Sequence, residues 1–180
     1  MAAEVRPIVQ IRLAEFPADK PIVSHLFLAY AQSLPIKLDF QNFDDELASL
    51  PGKYAAESGG GVWLACTSSA SPKTNTENSL RTEDEENVIG CVALRAFPAP
   101  TPTCELKRLY LTPESRGMGV SKVLMDEVLR RARELRYKEM LLDTLSSMTA
   151  AKRLYEGYAF VETGKYYDSV DGAVFYKLLL

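Results

Sequence analysis

Apolar positions along the chain recur at two periods, and the changes between them lay out the elements. Ile8 to Leu13 (IVQIRL) alternates apolar and polar and predicts a first strand, interrupted by Pro17 and Asp19. Pro21 to Leu34 has helical spacing, with Ile22, Leu26, Ala29 and Tyr30 on one face and His25 toward the surface, and Pro35 ends the helix. A short second helix, capped by Asn42 or Asp44, runs through Leu50 to a stop at Pro51-Gly52. Gly59 to Gly61 opens a turn, after which Val62 to Thr67 and Val88 to Phe97 return to strand pattern. The stretch between them, Thr67 to Asn87, has almost no apolar residue and carries an acidic run from Glu83 to Glu86. Such a segment buries too little surface to offset its ordering entropy, which predicts a disordered insertion in a hairpin at about 67–87.

The second half is more regular. After the proline-rich connection PAPTPT, Glu105 to Leu111 reads as a strand and Pro113 to Gly119 as a turn. From there the apolar period lengthens to three and four, through Val120, Val123, Leu124, Val128, Ala132 and Leu135. Glu139 to Thr144 (EMLLDT) is apolar enough for an interior strand. Thr149 to Tyr158 predicts another helix, and Phe160 to Lys165 and Ala173 to Leu179 predict two closing strands joined by the Tyr166–Gly172 loop. Strands first and then alternating helix and strand define an α/β (mixed α+β) fold, with a mixed, mostly antiparallel sheet of about seven strands flanked by about four helices. A hydrophobic share of 47% over 180 residues supplies the core of one domain spanning 1–180.

Composition removes several function classes. A net charge of −3 offers no basic surface for nucleic acid. No window of about 18 apolar residues exists to span a membrane, and the N-terminus MAAEVRPIVQ lacks an apolar signal-peptide core. Three widely spaced cysteines argue against a disulfide framework and for a cytoplasmic setting, with the nucleus as the alternative. Cys66 and Cys91 fall in apolar runs and read as small core residues; a nucleophilic Cys104 would need a base, and the only histidine, His25, is far away in sequence. One histidine and scattered thiols make no zinc set, so no metal is expected.

The chemistry concentrates in Cys104 to Leu135, a strand that feeds a helix through a glycine-bearing loop. The first N–H groups of a helix have no internal partner and sit in the positive end of its dipole. Gly117 and Gly119 let backbone approach a ligand closely, and Arg116 adds a forked cationic donor. Together they suit an anion such as phosphate; the alternative is a plain strand–helix turn with Arg116 exposed. Neither GxxxxGK[ST] nor a GxGxxG following a strand occurs.

The loop Arg116-Gly117-Met118-Gly119-Val120-Ser121 resembles the acetyl-coenzyme A loop of the GNAT N-acetyltransferases, whose pattern is Arg/Gln, two residues, Gly, one residue, Gly/Ala. Ser121 departs from that pattern at its last position. The next strand–helix unit is also similar: Ala151 and Tyr155 keep the family's Ala-to-Tyr spacing, and Ala159-Phe160 stands where Gly-Phe is usual. Met148 replaces an Asn that often lies seven residues before the Tyr. The likeness covers Val88 to Phe160 well and the N-terminal third only by element order.

The resemblance implies the GNAT acyl-coenzyme A N-acyltransferase fold and transfer of an acetyl group from acetyl-coenzyme A to a primary amine by direct attack. The loop from Arg116 to Ser121 would hold the pyrophosphate, and the backbone of Leu109, Tyr110 and Leu111 would pair with the pantetheine arm, with the Leu109 N–H polarising the thioester. Ala151 would let that arm pass, and Lys152 is either a further phosphate contact or a solvated helix residue. Tyr155 is the implied acid for the departing thiolate, the alternative being a packed aromatic. Glu105 is the candidate base, the alternative being an ion pair with Lys107 or Arg108. Tyr158, Tyr166, Tyr167 and Tyr176 would wall an acceptor pocket or pack the sheet edge. The expected acceptor is a small molecule such as an amino acid or polyamine; a protein or peptide amine, or a non-catalytic acyl-coenzyme A-binding module, are the alternatives. A homodimer through exposed strand edges is the expected form of any assembly.

Overall fold

The computed structural model describes residues 8–37, 42–68 and 86–180. Among these residues seven strands form one sheet in the order β1-β2-β3-β4-β5-β7-β6. The strands are β1 (Val9–Leu13), β2 (Gly61–Ser68), β3 (Glu86–Phe97), β4 (Thr103–Leu111), β5 (Glu139–Leu145), β6 (Val161–Thr163) and β7 (Ala173–Leu179). Four α-helices accompany them among the described residues: α1 (Lys20–Ser33), α2 (Phe43–Ser49), α3 (Val120–Glu134) and α4 (Thr149–Gly157). The middle of the predicted insertion lies outside the described residues; its two ends are strand, with Thr67 opposite Asn87 and Ser68 opposite Glu86.

Period-two alternation in β2 and β3 gives the sheet two apolar faces. Trp63, Ala65, Val92 and Leu94 turn to the face packed by α3, while Val62, Leu64, Cys66, Cys91 and Ala93 turn to the face packed by α1 and α2. Helix α3 buries Val120, Leu124, Met125, Val128, Leu129 and Ala132. Each large apolar side chain so buried contributes roughly 1.5–3 kcal/mol, so this stripe fixes where the helix begins. Its apolar face is rotated from the sequence expectation: Val123 and Leu135 are each 41% exposed, and Met125 and Leu129 take their place. Helix α1 is rotated likewise, burying Val23, Leu26 and Phe27 and leaving Tyr30 half-buried at the sheet's midline. Strand β6 is shorter than the predicted Phe160–Lys165, because Phe160 turns into the core and Ala159 before it adopts φ 64°.

Every neighbouring pair of strands is antiparallel except β4 and β5, which are parallel and joined by the crossover helix α3. Their pairing is brief, Thr103 to Glu105 against Glu139 to Leu141. Beyond it both strands continue but diverge, opening a cleft in the middle of the sheet. Strand β4 also carries a bulge where it pairs with β3: Cys91 opposes Tyr110 and Ala93 opposes Lys107, so Arg108 and Leu109 share Val92. A bulge bends its strand, increases its twist and leaves one residue without a ladder partner. The divergence of β4 therefore has a local cause.

Candidate active site

Arg108 is the residue that makes the bulge, at φ 57°, a left-handed conformation that costs a non-glycine residue energy. Three elements hold it there. The guanidinium donates from Nε to Glu46 Oε1 at 2.8 Å and from Nη2 to Glu46 Oε2 at 3.0 Å, a bidentate pair with α2. The ring of Tyr30 lies 5.6 Å from its carbon and that of Phe43 5.3 Å. From β3, the Cys91 thiol donates to the Arg108 carbonyl at 3.3 Å; burial pushes that thiol up to about 12, so it keeps its proton. Glu46 also accepts from Tyr54 at 3.0 Å and pairs with Lys53 at 2.7 Å. Burial alone would raise its pKa, but the bonds from Arg108 and Lys53 prevail and lower it to about 2.

The cleft beside this bulge is continuous with the loop before α3. One part is lined by Leu109, Tyr110, Leu111, Arg116 and Ser121 on one wall, by Ser147 to Ala151 and Leu154 on the other, and by Tyr30 and Ser33 of α1. The loop is pinned from below. Ser115 donates to the Ile89 carbonyl at 3.1 Å, and the Thr112 N–H bonds the same carbonyl at 2.9 Å. Gly117 and Gly119 have φ of 79° and 81°, and a Cβ on either would meet nothing within 4 Å, so the backbone there faces open space. The N–H groups of Lys122 and Val123 close onto the Gly119 carbonyl. By helix geometry those of Val120 and Ser121 have no intrahelical acceptor and point out along the helix axis. Of the residues read from sequence, Leu109, Tyr110, Leu111, Arg116, Ser121 and Ala151 thus line one groove. Gly117, Met118 and Gly119 form its exposed rim. Val120 is fully buried and offers only its backbone, and Lys152 lies outside the groove lining.

A second, narrower pocket sits where β4 and β5 separate. Tyr155 lines it with Leu106, Lys107, Arg108, Leu109, Asp143, Thr144, Met148, Ala151 and Tyr30. The Tyr155 ring is wedged between Phe160 and Tyr176, with centroids 6.0 and 6.3 Å away. Burial, and then the fields of Tyr30 and Asp143, hold its phenol well above the usual tyrosine range, so it remains a proton donor. Tyr155, Leu109 and Ala151 are therefore brought together as the sequence suggests.

Glu105 is not brought to this pocket. Its side chain is 0% exposed. Oε2 accepts from Arg95 Nε at 2.6 Å, and Oε1 accepts from Tyr166 at 2.9 Å and faces Lys107 at 3.4 Å. Both oxygens are committed, because Arg95 stands directly opposite in the β3–β4 register. The ion-pair alternative describes this geometry, with Arg95 and Lys107 as partners; Arg108 instead pairs with Glu46. The four tyrosines divide as well. Tyr166 and Tyr167 pack with Phe175 on the pocket's flank. Tyr158 bonds Asp126 at 2.6 Å, and Tyr176 bonds Glu156 at 3.1 Å, both on the far side of the sheet.

Sequence reading gave Asp143 no role, named Lys107 and Arg108 only as possible partners of Glu105, and placed Tyr30 only on a helix face. The signal for Asp143 and Lys107 is a charge inside an apolar strand, EMLLDTL and CELKRLYL, where burial demands a partner. They are each other's partner, Lys107 Nζ lying 2.8 Å from Asp143 Oδ1. All three cysteines are free and buried, and burial raises each thiol to about 12. This matches the core reading of Cys66 and Cys91 and disfavours a thiolate at Cys104. Among the described residues no helix is long and apolar enough to cross a membrane.

Comparison with known proteins bears on this geometry. The acetyltransferase (GNAT) family profile matches residues 49–160. An uncharacterized N-acetyltransferase of Schizosaccharomyces pombe is 33% identical over 171 residues, covering 95% of the chain and 94% of that protein. Human N-acetyltransferase 8B is 32% identical over 125 residues, which span 67% of the chain and 47% of that protein. Among solved structures, yncA of Salmonella typhimurium, determined with its cofactor acetyl-CoA, superposes with a TM-score of 0.66 at 17% identity, over 95% of this chain and 93% of that one.

Proposed function

The chain belongs to the GNAT acetyltransferase family, and from that premise we propose that it transfers the acetyl group of acetyl-coenzyme A to the primary amine of a small molecule, at the point where β4 and β5 part. The observation that carries this reading is the junction of the two cavities, which share Tyr30, Leu109, Met148 and Ala151, so that the groove beside Arg116 and Ser121 leads along the β4 edge to Tyr155. Acetyl-coenzyme A supplies an activated thioester. Arg116 and the free N–H groups at the start of α3 take its pyrophosphate. The edge of β4 from Leu109 to Leu111 pairs with the amide-bearing arm, as an added strand would, and Ala151 leaves room for it. The N–H of Leu109, in the bulge, polarises the thioester carbonyl. Tyr155 gives its proton to the departing sulfur. The narrowness of the inner pocket supports a small-molecule acceptor. Free, buried thiols support a reducing compartment, cytoplasmic or nuclear.

The test is thiol release from acetyl-coenzyme A across a panel of amines, amino acids and short peptides, with binding followed by calorimetry. Release with a small amine confirms the reading. Release only with peptides moves the acceptor to the protein class. Tight binding without release from any acceptor leaves a binding module instead of an enzyme.

A further inference from the structure

Asp143 is the sole carboxylate among the residues lining the inner pocket. It lies on β5 two residues beyond Leu141, the last residue paired with β4, so it stands at the mouth of the divergence. Leu142 and Met140 of the same strand face the α3 core, which turns Asp143 to the opposite face, toward Tyr30 of α1. Its side chain is 14% exposed, against 0% for Glu105. Lys107 holds Oδ1 at 2.8 Å and lies 5.5 Å from the centre of the Tyr167 ring. Lys107 is committed to this pair, and Arg108 is bound to Glu46. The reacting amine enters as an ammonium at neutral pH, since alkylamines lose their proton only near pH 10. Attack on a thioester requires the neutral form, so a group in the pocket that binds the cation and takes its proton accelerates the step near neutral pH.

We propose that Asp143 is that group: it receives the acceptor's ammonium in exchange for Lys107 and removes one proton before attack. The assignment rests on the functional reading above and adds a residue to it. In the balanced step, the ammonium passes one proton to the Asp143 carboxylate. The nitrogen lone pair forms the C–N bond as the C–S bond breaks, the sulfur leaves with the bonding pair, and Tyr155 protonates it. The second proton lost from nitrogen restores Tyr155, and the proton on Asp143 passes to water. The charged and titratable groups around Asp143 are Glu105, Lys107 and Arg108 on β4, Tyr30 on α1, Tyr155 on α4, and Tyr166 and Tyr167 from the loop before β7, with the Tyr167 hydroxyl hydrogen-bonded to Asp143. Of the two carboxylates that Lys107 faces, Glu105 is enclosed by Arg95 and Tyr166, and Asp143 alone lines the inner pocket, so a cation entering it meets Asp143.

The experiment compares wild type and Asp143→Asn with the best primary amine of the panel, from about pH 6 to about pH 10. The expected result is a kcat/KM about 100-fold or more lower in the variant near neutrality, with acetyl-coenzyme A affinity within about twofold of wild type. Without its proton acceptor the variant depends on amine that is already neutral, whose fraction rises about tenfold per pH unit below the amine pKa. The deficit therefore shrinks as pH rises, and Asp143→Glu recovers part of the activity. A deficit that is constant with pH, or turnover equal to wild type, overturns the assignment while leaving the acetyltransferase reading intact. A matching loss of acetyl-coenzyme A affinity also overturns it, because the residue would then support the groove. Wild type that binds no acetyl-coenzyme A overturns the functional reading itself. If thermal unfolding shows the Asn variant to be misfolded, Asp143→Ser carries the same pH readout.

Discussion

A phenol can protonate a departing thiolate only while it holds its proton, and the surroundings of Tyr155 guarantee that. Buried between Phe160 and Tyr176, it has a pKa raised above its ordinary value, so neither a neutral nor a mildly alkaline assay deprotonates it. Tyr155→Phe keeps the packing and removes the proton. Turnover should fall about tenfold or more with acetyl-coenzyme A affinity unchanged; steady-state rates paired with calorimetry check this, and an unchanged kcat would reduce Tyr155 to a packed aromatic. Glu46 shows the same dependence of ionisation on surroundings with the opposite sign. Its folded pKa is lowered to about 2 from 4.5, so the stability it contributes is fully present above about pH 4.5 and is lost as pH falls toward 2. Glu46→Gln leaves Arg108 buried without its anion and should cost about 3 kcal/mol at neutral pH. Urea unfolding at pH 7 and pH 3 should show the gap between variant and wild type narrowing in acid.

At the scale of elements, two junctions position those residues. The first is the bulge of β4, where Arg108 on one side and the Cys91 thiol on the other fix a strained backbone. The second is the turn into α3. Gly119 caps that helix at φ 81°, with open space around the place a side chain would occupy. Gly119→Val meets no neighbour in the free protein, so its cost is a conformational one of about 1–2 kcal/mol at the turn. It also puts a branched side chain where the phosphates would lie. Acetyl-coenzyme A affinity should fall about tenfold or more, a change that calorimetry resolves and that folding measured by circular dichroism should not share. Intact affinity would remove the phosphate site from this loop.

The whole molecule is a sheet that splits in its middle, with apolar cores on both faces and the cleft between its halves. Strands β1 to β4 are clamped by α1, α2 and α3, while the β4–β5 ladder that joins β5 to β7 to them holds only three residue pairs, supplemented by the shared α3 core and the Lys107–Asp143 and Tyr166–Glu105 bonds. A ligand strand lying along β4 in that cleft would tie the halves together. Acetyl-coenzyme A at about 100 times its Kd should therefore stabilise the fold by about 2.7 kcal/mol, raising the unfolding temperature of a domain this size by about 5–10 °C. Differential scanning calorimetry reads the shift; an unchanged midpoint at saturating ligand would mean that the cleft does not bind it.

By itself the sequence determined the order and type of the elements, because a period of two or of three to four is written locally in residues such as Val62 to Thr67 or Leu124 to Ala132. It also determined the turn from Arg116 to Ser121, because the positive φ of Gly117 and Gly119 is a requirement that glycine meets locally. The rest was decided by tertiary structure. Whether Glu105 or Asp143 faces the cleft depends on which strand stands opposite: Arg95 across β3 occupies the one, and the divergence of β4 from β5 exposes the other. The pair of Arg108 with Glu46 joins residues 62 positions apart, a separation that no local pattern encodes. A charge in a strand announces that it must be satisfied; only the packed molecule says by which partner, and that choice sets which groups remain free for chemistry.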